Sequence, residues 1–206
     1  MYSHSKDVVF GGVPLSDAKK AIIMLDGRGA SAESIISLKD HLKVDDAAIL
    51  APQATNSSWY PYSFMAPDQD NQPALNSALQ VVGDVVKDIL AQGIALNQIY
   101  FTGFSQGACL ALEYTTRHAD IYGGIVAFTG GLIGQTLNTR NYPGDFKGTP
   151  ILITTGDPDP HVPMSRIYES VEILENLNAR VELKVYKGRP HTIQTEEIEL
   201  AKGYLK

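Results

Sequence analysis

Short apolar runs alternate with stretches of helical periodicity along the whole chain. Ala21 to Leu25 is a continuous apolar run that stops at Asp26-Gly27-Arg28-Gly29, so it reads as a strand buried on both faces. Ser34 to Leu42 places Ile35, Leu38 and Leu42 on one side of a short helix, and Ala47 to Leu50, closed by Pro52, is the next strand. From Leu75 to Gln92 the positions Leu79, Val82, Val85, Val86, Ile89 and Leu90 recur at helical spacing, with Gly93 suited to the C-terminal cap. Ile99 to Thr102 predicts a strand and Ala108 to His118 a helix. Ile125 to Phe128 and Ile151 to Thr154 predict two further strands. Met164 to Leu177 turns Ile167, Val171, Leu174 and Leu177 inward on a helix, Val181 to Tyr186 alternates as a strand, and Glu196 to Leu205 closes the chain as a helix. Val8 to Phe10 adds an edge strand. Strands apolar on both faces, each followed by a helix, predict a three-layer α/β fold with a mostly parallel central sheet and helices on both faces.

Two irregular stretches, Pro52 to Pro73 and Gly130 to Pro150, interrupt this alternation. Each follows the C-terminal end of a strand, the edge at which open α/β sheets bind ligands, so both are expected above a functional site. No repeat, low-complexity tract or linker divides the chain. Its 206 residues are read as one domain spanning residues 1–206.

Composition narrows the function classes. Hydrophobic residues make up 44% and charged residues 19%, as in an ordinary globular protein. A net charge of −6 without a basic stripe argues against nucleic acid and anionic lipid as partners. One cysteine, Cys109, excludes an intramolecular disulfide and reads as an inert core thiol one helical turn beyond Ser105. Met1 to Asp7 has no signal-peptide pattern and no apolar run is long enough to span a bilayer, so no stable membrane insertion and a cytoplasmic location are expected. A homodimer is compatible with this pattern.

The chemistry concentrates at Gly103-Phe104-Ser105-Gln106-Gly107, between a predicted strand and a predicted helix. That setting is a nucleophile elbow: a sharp turn lifts a serine hydroxyl to the sheet rim near a helix N-terminus. The serine needs a base. Of five histidines, His4 falls in a segment read as frayed, His41 on a charged helix surface and His118 at a helix end. His161 and His191 remain, both in rim loops, and His191 is preferred because it follows the last strand through Lys187-Gly188-Arg189-Pro190. The orienting carboxylate falls in Gly156-Asp157-Pro158-Asp159-Pro160, where spacing alone leaves Asp157 and Asp159 open. Backbone N–H groups of Gln106 and of the 26–29 turn are candidates for an oxyanion hole.

With these residues assembled, the chain resembles the phospholipase/carboxylesterase family of small α/β-hydrolases, the group that includes acyl-protein thioesterases. The resemblance rests on Gly103-Phe104-Ser105-Gln106-Gly107, on Gly156-Asp157-Pro158-Asp159-Pro160-His161-Val162-Pro163 and on Gly188-Arg189-Pro190-His191, and it runs from about Ala21 to the end. It implies the α/β-hydrolase fold, Asp159 as the third triad member beside Ser105 and His191, and Arg28 and Gln106 as oxyanion donors. No set of His, Asp and Glu residues shows metal-ligand spacing, so no cofactor and no metal are expected. The family's oxyanion turn usually begins with histidine, where this chain has Asp26. Asp26 is expected to pair with Arg28 or a nearby amide, and an Arg28 side chain pointing into the cleft would favour substrates with an anionic tail.

Trp59-Tyr60-Pro61-Tyr62-Ser63-Phe64-Met65 is rich in aromatics, and Trp59, Tyr60, Phe64 and Met65 are expected to line the substrate pocket. Thr129, Gly130 and Gly131 either border that pocket or form a plain turn. The expected activity is hydrolysis of short or medium acyl esters of small molecules through an acyl-enzyme. A thioesterase or lysophospholipase is the nearest alternative, since the same groups serve either. A slow-turnover ligand sensor and a metal-dependent hydrolase built on Asp157, Asp159 and His161 are the readings from other classes.

Overall fold

The computed structural model describes residues 1–206. A seven-stranded sheet runs in the order β1-β3-β2-β4-β5-β6-β7. Its strands are β1 (Val8–Gly12), β2 (Ala21–Leu25), β3 (Ala48–Pro52), β4 (Ile99–Phe104), β5 (Gly124–Phe128), β6 (Pro150–Asp157) and β7 (Arg180–Lys187). Only β1 is antiparallel, pairing with β3 at the edge; every other pairing is parallel. Six helices complete the chain: α1 (Ala32–Ile36), α2 (Lys39–Leu42), α3 (Ala74–Ala91), α4 (Gln106–Arg117), α5 (Met164–Asn176) and α6 (Thr195–Ala201).

Alternation along β2 divides the core between two layers, because successive side chains of a strand point to opposite faces. Ala21, Ile23 and Leu25 join the larger core with residues of α3, α4 and α5. Ile22 and Met24 join the smaller one with residues of α1, α2 and α6. All five are fully buried, which is why the sequence shows an unbroken apolar run there. No helix is long and apolar enough to cross a membrane.

Two expectations are corrected. The predicted 34–42 helix is two short helices. Ser31 caps α1 by accepting from the Ser34 N–H, and the Ser37 hydroxyl donates to the Ser34 carbonyl, so serines compete with the helical ladder. The closing helix ends at Ala201, four residues short of Leu205. On α5, Ile167 and Leu174 are buried together with Arg166 and Ser170, and Val171 and, just past the helix, Leu177 pack against the same core as expected.

Candidate active site

The loops that follow β2, β3, β4, β5, β6 and β7 all rise from the C-terminal edge of the parallel strands, and the site is assembled there. Between β4 and α4, Ser105 adopts φ 53° and ψ −115°, the strained left-handed side of the map for a side chain other than glycine. The flanking glycines make this turn feasible. A Cβ at Gly103 would stand 2.6 Å from the Gly107 carbonyl, and one at Gly107 would stand 2.1 Å from the Leu25 oxygen. The Ser105 N–H donates to the Phe128 carbonyl at 2.9 Å, which pins the turn to the end of β5.

His191 stands on the loop after β7, its Nε2 2.8 Å from Ser105 Oγ and its Nδ1 2.8 Å from Asp159 Oδ2. A carboxylate only accepts, so Nδ1 carries the proton and Nε2 is free to accept from the serine hydroxyl. The Asp159 side chain is fully buried, and its Oδ1 accepts from the His161 and Val162 N–H groups at 2.9 and 3.0 Å. Burial works against its charged form, but the bonds from His191, His161 and Val162 outweigh it and hold the carboxyl below its ordinary value. Of the two aspartates left open by spacing, Asp159 is the one that meets the imidazole; Asp157 is exposed at the end of β6. Asp157, Asp159 and His161 do not converge as a metal-ligand group.

A cleft of about 340 Å³ opens beside Ser105. Tyr60 and Phe64 line it, together with Arg28, Tyr62, Ser63, Phe104, Cys109, His161 and Val162. Trp59 and Met65 do not. Trp59 is completely buried and donates from its indole nitrogen to the Asp26 carbonyl at 3.0 Å, so it supports the loop from below. Thr129 to Gly131 stay out of the lining too, because a Cβ at Gly130 would meet Ala108 at 2.7 Å: this turn is pressed against α4. Burial pushes the Cys109 thiol up to about 12, consistent with an inert thiol.

The first candidate oxyanion donor, the Arg28 backbone N–H, finds no acceptor within the chain. The second, that of Gln106, is the first residue of α4, where an N–H has no partner in its own helix. Their side chains do something the motifs did not signal. The Gln106 carboxamide accepts from the Trp59 N–H and donates to the Tyr60 carbonyl, both at 2.8 Å. The Arg28 guanidinium donates to the carbonyls of Tyr60, Pro61 and Tyr62 at 2.7 to 2.9 Å. Arg28 therefore clamps the aromatic loop instead of reaching freely into the cleft, and it pairs with no carboxylate. Asp26 is buried, with neither carboxylate oxygen hydrogen-bonded, so the expected pairing with Arg28 or an amide is also overturned. Desolvation, with a smaller push from Glu33, raises its carboxyl to about 6.

His4 is not frayed. Its Nδ1 accepts from the Thr55 N–H, its Nε2 donates to the Trp59 carbonyl, both at 3.0 Å, and its own N–H donates to Ser77 Oγ. His41 is exposed on α2, and His118 caps α4 with its ring 4.7 Å from that of Tyr114.

Residues 13–206 match the family model described as Phospholipase/Carboxylesterase. A crystal structure of a phospholipase/carboxylesterase from Dyadobacter fermentans is 65% identical, with a TM-score of 0.98, over 100% of this chain and 98% of that one. "Acyl-protein thioesterase 1" of Saccharomyces cerevisiae is 31% identical over 81% of this chain and 72% of its own length. "Probable carboxylesterase SOBER1-like" of Arabidopsis thaliana is 29% identical over 66% of this chain, and the match spans about half (52%) of that protein. A match of such extent, on a sheet whose strand order and parallel pairing already define the architecture, establishes kinship: the chain belongs to the phospholipase/carboxylesterase family of α/β-hydrolases.

Proposed function

We propose that this chain hydrolyses carboxylic esters with short or medium acyl groups, Ser105, His191 and Asp159 acting as the catalytic triad. The observation that carries this reading is His191 itself, within 2.8 Å of Ser105 Oγ on one side and of Asp159 Oδ2 on the other. Ser105 Oγ attacks the ester carbonyl carbon while its proton passes to His191 Nε2, and Asp159 stabilises the imidazolium. The backbone N–H groups of Arg28 and Gln106 stabilise the tetrahedral oxyanion, such donors supplying about 3 kcal/mol each. The bond to the leaving oxygen then breaks, and that oxygen takes the proton from His191. Water attacks the acyl-enzyme by the same proton path in reverse, releasing the acid and restoring the serine. A cleft of about 340 Å³ is at the small end for ligand pockets, in keeping with modest acyl groups. The same attack would cleave a thioester, the second reading favoured by the yeast relative's name.

A fluorophosphonate probe should label the protein stoichiometrically and fail on Ser105→Ala. Nitrophenyl esters graded by acyl length, with matched thioesters, then separate esterase from thioesterase. Labelling that survives the Ser105→Ala change would remove this reading, and labelling without multiple turnover would leave a ligand sensor in its place.

A further inference from the structure

The cleft lacks the acidic side chains that dominate the molecule. The chain carries −6 overall, yet no Asp or Glu is among the residues that line the cleft. The two carboxylates nearest the chemistry, Asp26 and Asp159, have fully covered side chains. The basic side chains in the lining are Arg28, whose guanidinium is held by the loop carbonyls, His161 and His191. The His161 ring meets that of His191 edge-on with centroids 4.8 Å apart. His161 is exposed, and the chain engages only its backbone N–H, which leaves both ring nitrogens available to a ligand. Burial also sorts the cleft by depth. Tyr60, Phe64, Cys109 and Val162 form a covered, largely apolar floor, while Arg28, Tyr62, Ser63 and His161 form an exposed rim. An acyl chain belongs on the floor and the departing group at the rim.

We propose that the preferred substrates carry a carboxylate or phosphate on the alcohol or thiol portion, with the His161 imidazole contacting that anion. This rests on the esterase reading above. Imidazole offers an N–H donor in either protonation state. The contact sits at an exposed mouth, so the preference is modest and sensitive to salt.

The test compares para-acetoxybenzoate and para-acetoxyphenyl phosphate with neutral para-acetoxybenzamide, each kcat/KM divided by the hydroxide-catalysed rate of the same ester. For wild type the better anionic ester should lead by about fivefold, the factor matching ~1 kcal/mol for an exposed ion contact. Which of the two leads identifies carboxylate or phosphate as the natural group. The advantage should lie in KM, shrink with added sodium chloride, fall to about one in His161→Leu and persist in His161→Lys. A ratio of one in wild type, or a ratio that His161→Leu leaves intact, overturns the proposal while neutral-ester turnover keeps the esterase reading standing. Turnover of none of the three esters overturns both.

Discussion

At the scale of single residues, the site is built by satisfying some groups completely and leaving one unsatisfied. Asp159 accepts three hydrogen bonds and stays charged; Asp26, just beyond β2, accepts none. A carboxyl raised in the folded state binds its proton more tightly there than in the unfolded chain. Stability is therefore greatest below its unfolded value and is lost as pH rises through the folded one. For Asp26 that window runs from 3.8 to about 6. Raising a pKa by about two pH units costs at most ~3 kcal/mol once the group is ionised. Asp26→Asn should thus melt at nearly the wild-type temperature near pH 4 and at a higher one above pH 7, in a calorimetric series. A difference in Tm that is flat across this range would show that the buried charge is not the cause. The sequence marked Asp26 only as a departure from a family pattern; its isolation depends on which atoms approach it, and no motif encodes that.

At the scale of elements, strands were legible because burial on both faces leaves unbroken apolar runs, and the elbow because glycine is the only residue that fits at 103 and 107. The 34–42 region was misread because apolar spacing does not reveal hydroxyls that break a helix locally. Loop anchoring was the least legible. Gln106 stood out as an oxyanion donor through its backbone, whereas its side chain and that of Arg28 tie the elbow and the early turn to the aromatic loop. Arg28→Ala should leave Ser105, His191 and Asp159 in place while freeing the carbonyls of Tyr60, Pro61 and Tyr62. Three exposed or half-exposed hydrogen bonds of a charged donor are lost, so a stability loss of about 1–3 kcal/mol is expected. Hydrogen exchange should accelerate in the 58–65 segment and KM should rise more than kcat falls. Unchanged exchange in that segment would mean that Trp59 and Gln106 hold the loop unaided.

At the scale of the whole molecule, the same device recurs around the rim. The parallel sheet fixes where loops begin, and three arginines fix where they go. Arg28 holds the loop after β3. Arg166 donates to the carbonyls of Leu132, Gly134 and Gln135 at 2.7 to 3.1 Å and holds the loop after β5. Glu113, buried on α4, secures that loop from below by accepting from the Ile133 N–H and the Tyr142 hydroxyl. Arg189, almost fully buried, donates to the carbonyls of Pro190 and Thr192 and to Thr129 Oγ1, gripping the loop that carries His191. Its guanidinium also lies 3.4 Å from Glu197 of α6, whose carboxylate accepts from Thr154 Oγ1 and the Gln194 N–H. One buried ion pair thus joins β6, β7, α6 and the candidate base. Removing one partner of a buried pair strands the other charge, at a cost of about 3–5 kcal/mol. Arg189→Met should therefore be among the most destabilising single changes in the protein, with activity falling further than the folded fraction because His191 loses its anchor. Glu197→Gln should cost less, since Arg189 keeps its carbonyl partners. In the double variant neither charge remains, and urea unfolding should show a loss smaller than the sum of the singles by ~1–3 kcal/mol. Strict additivity would mean that the two side chains stabilise the rim separately, and that the histidine loop is held by its carbonyl contacts alone.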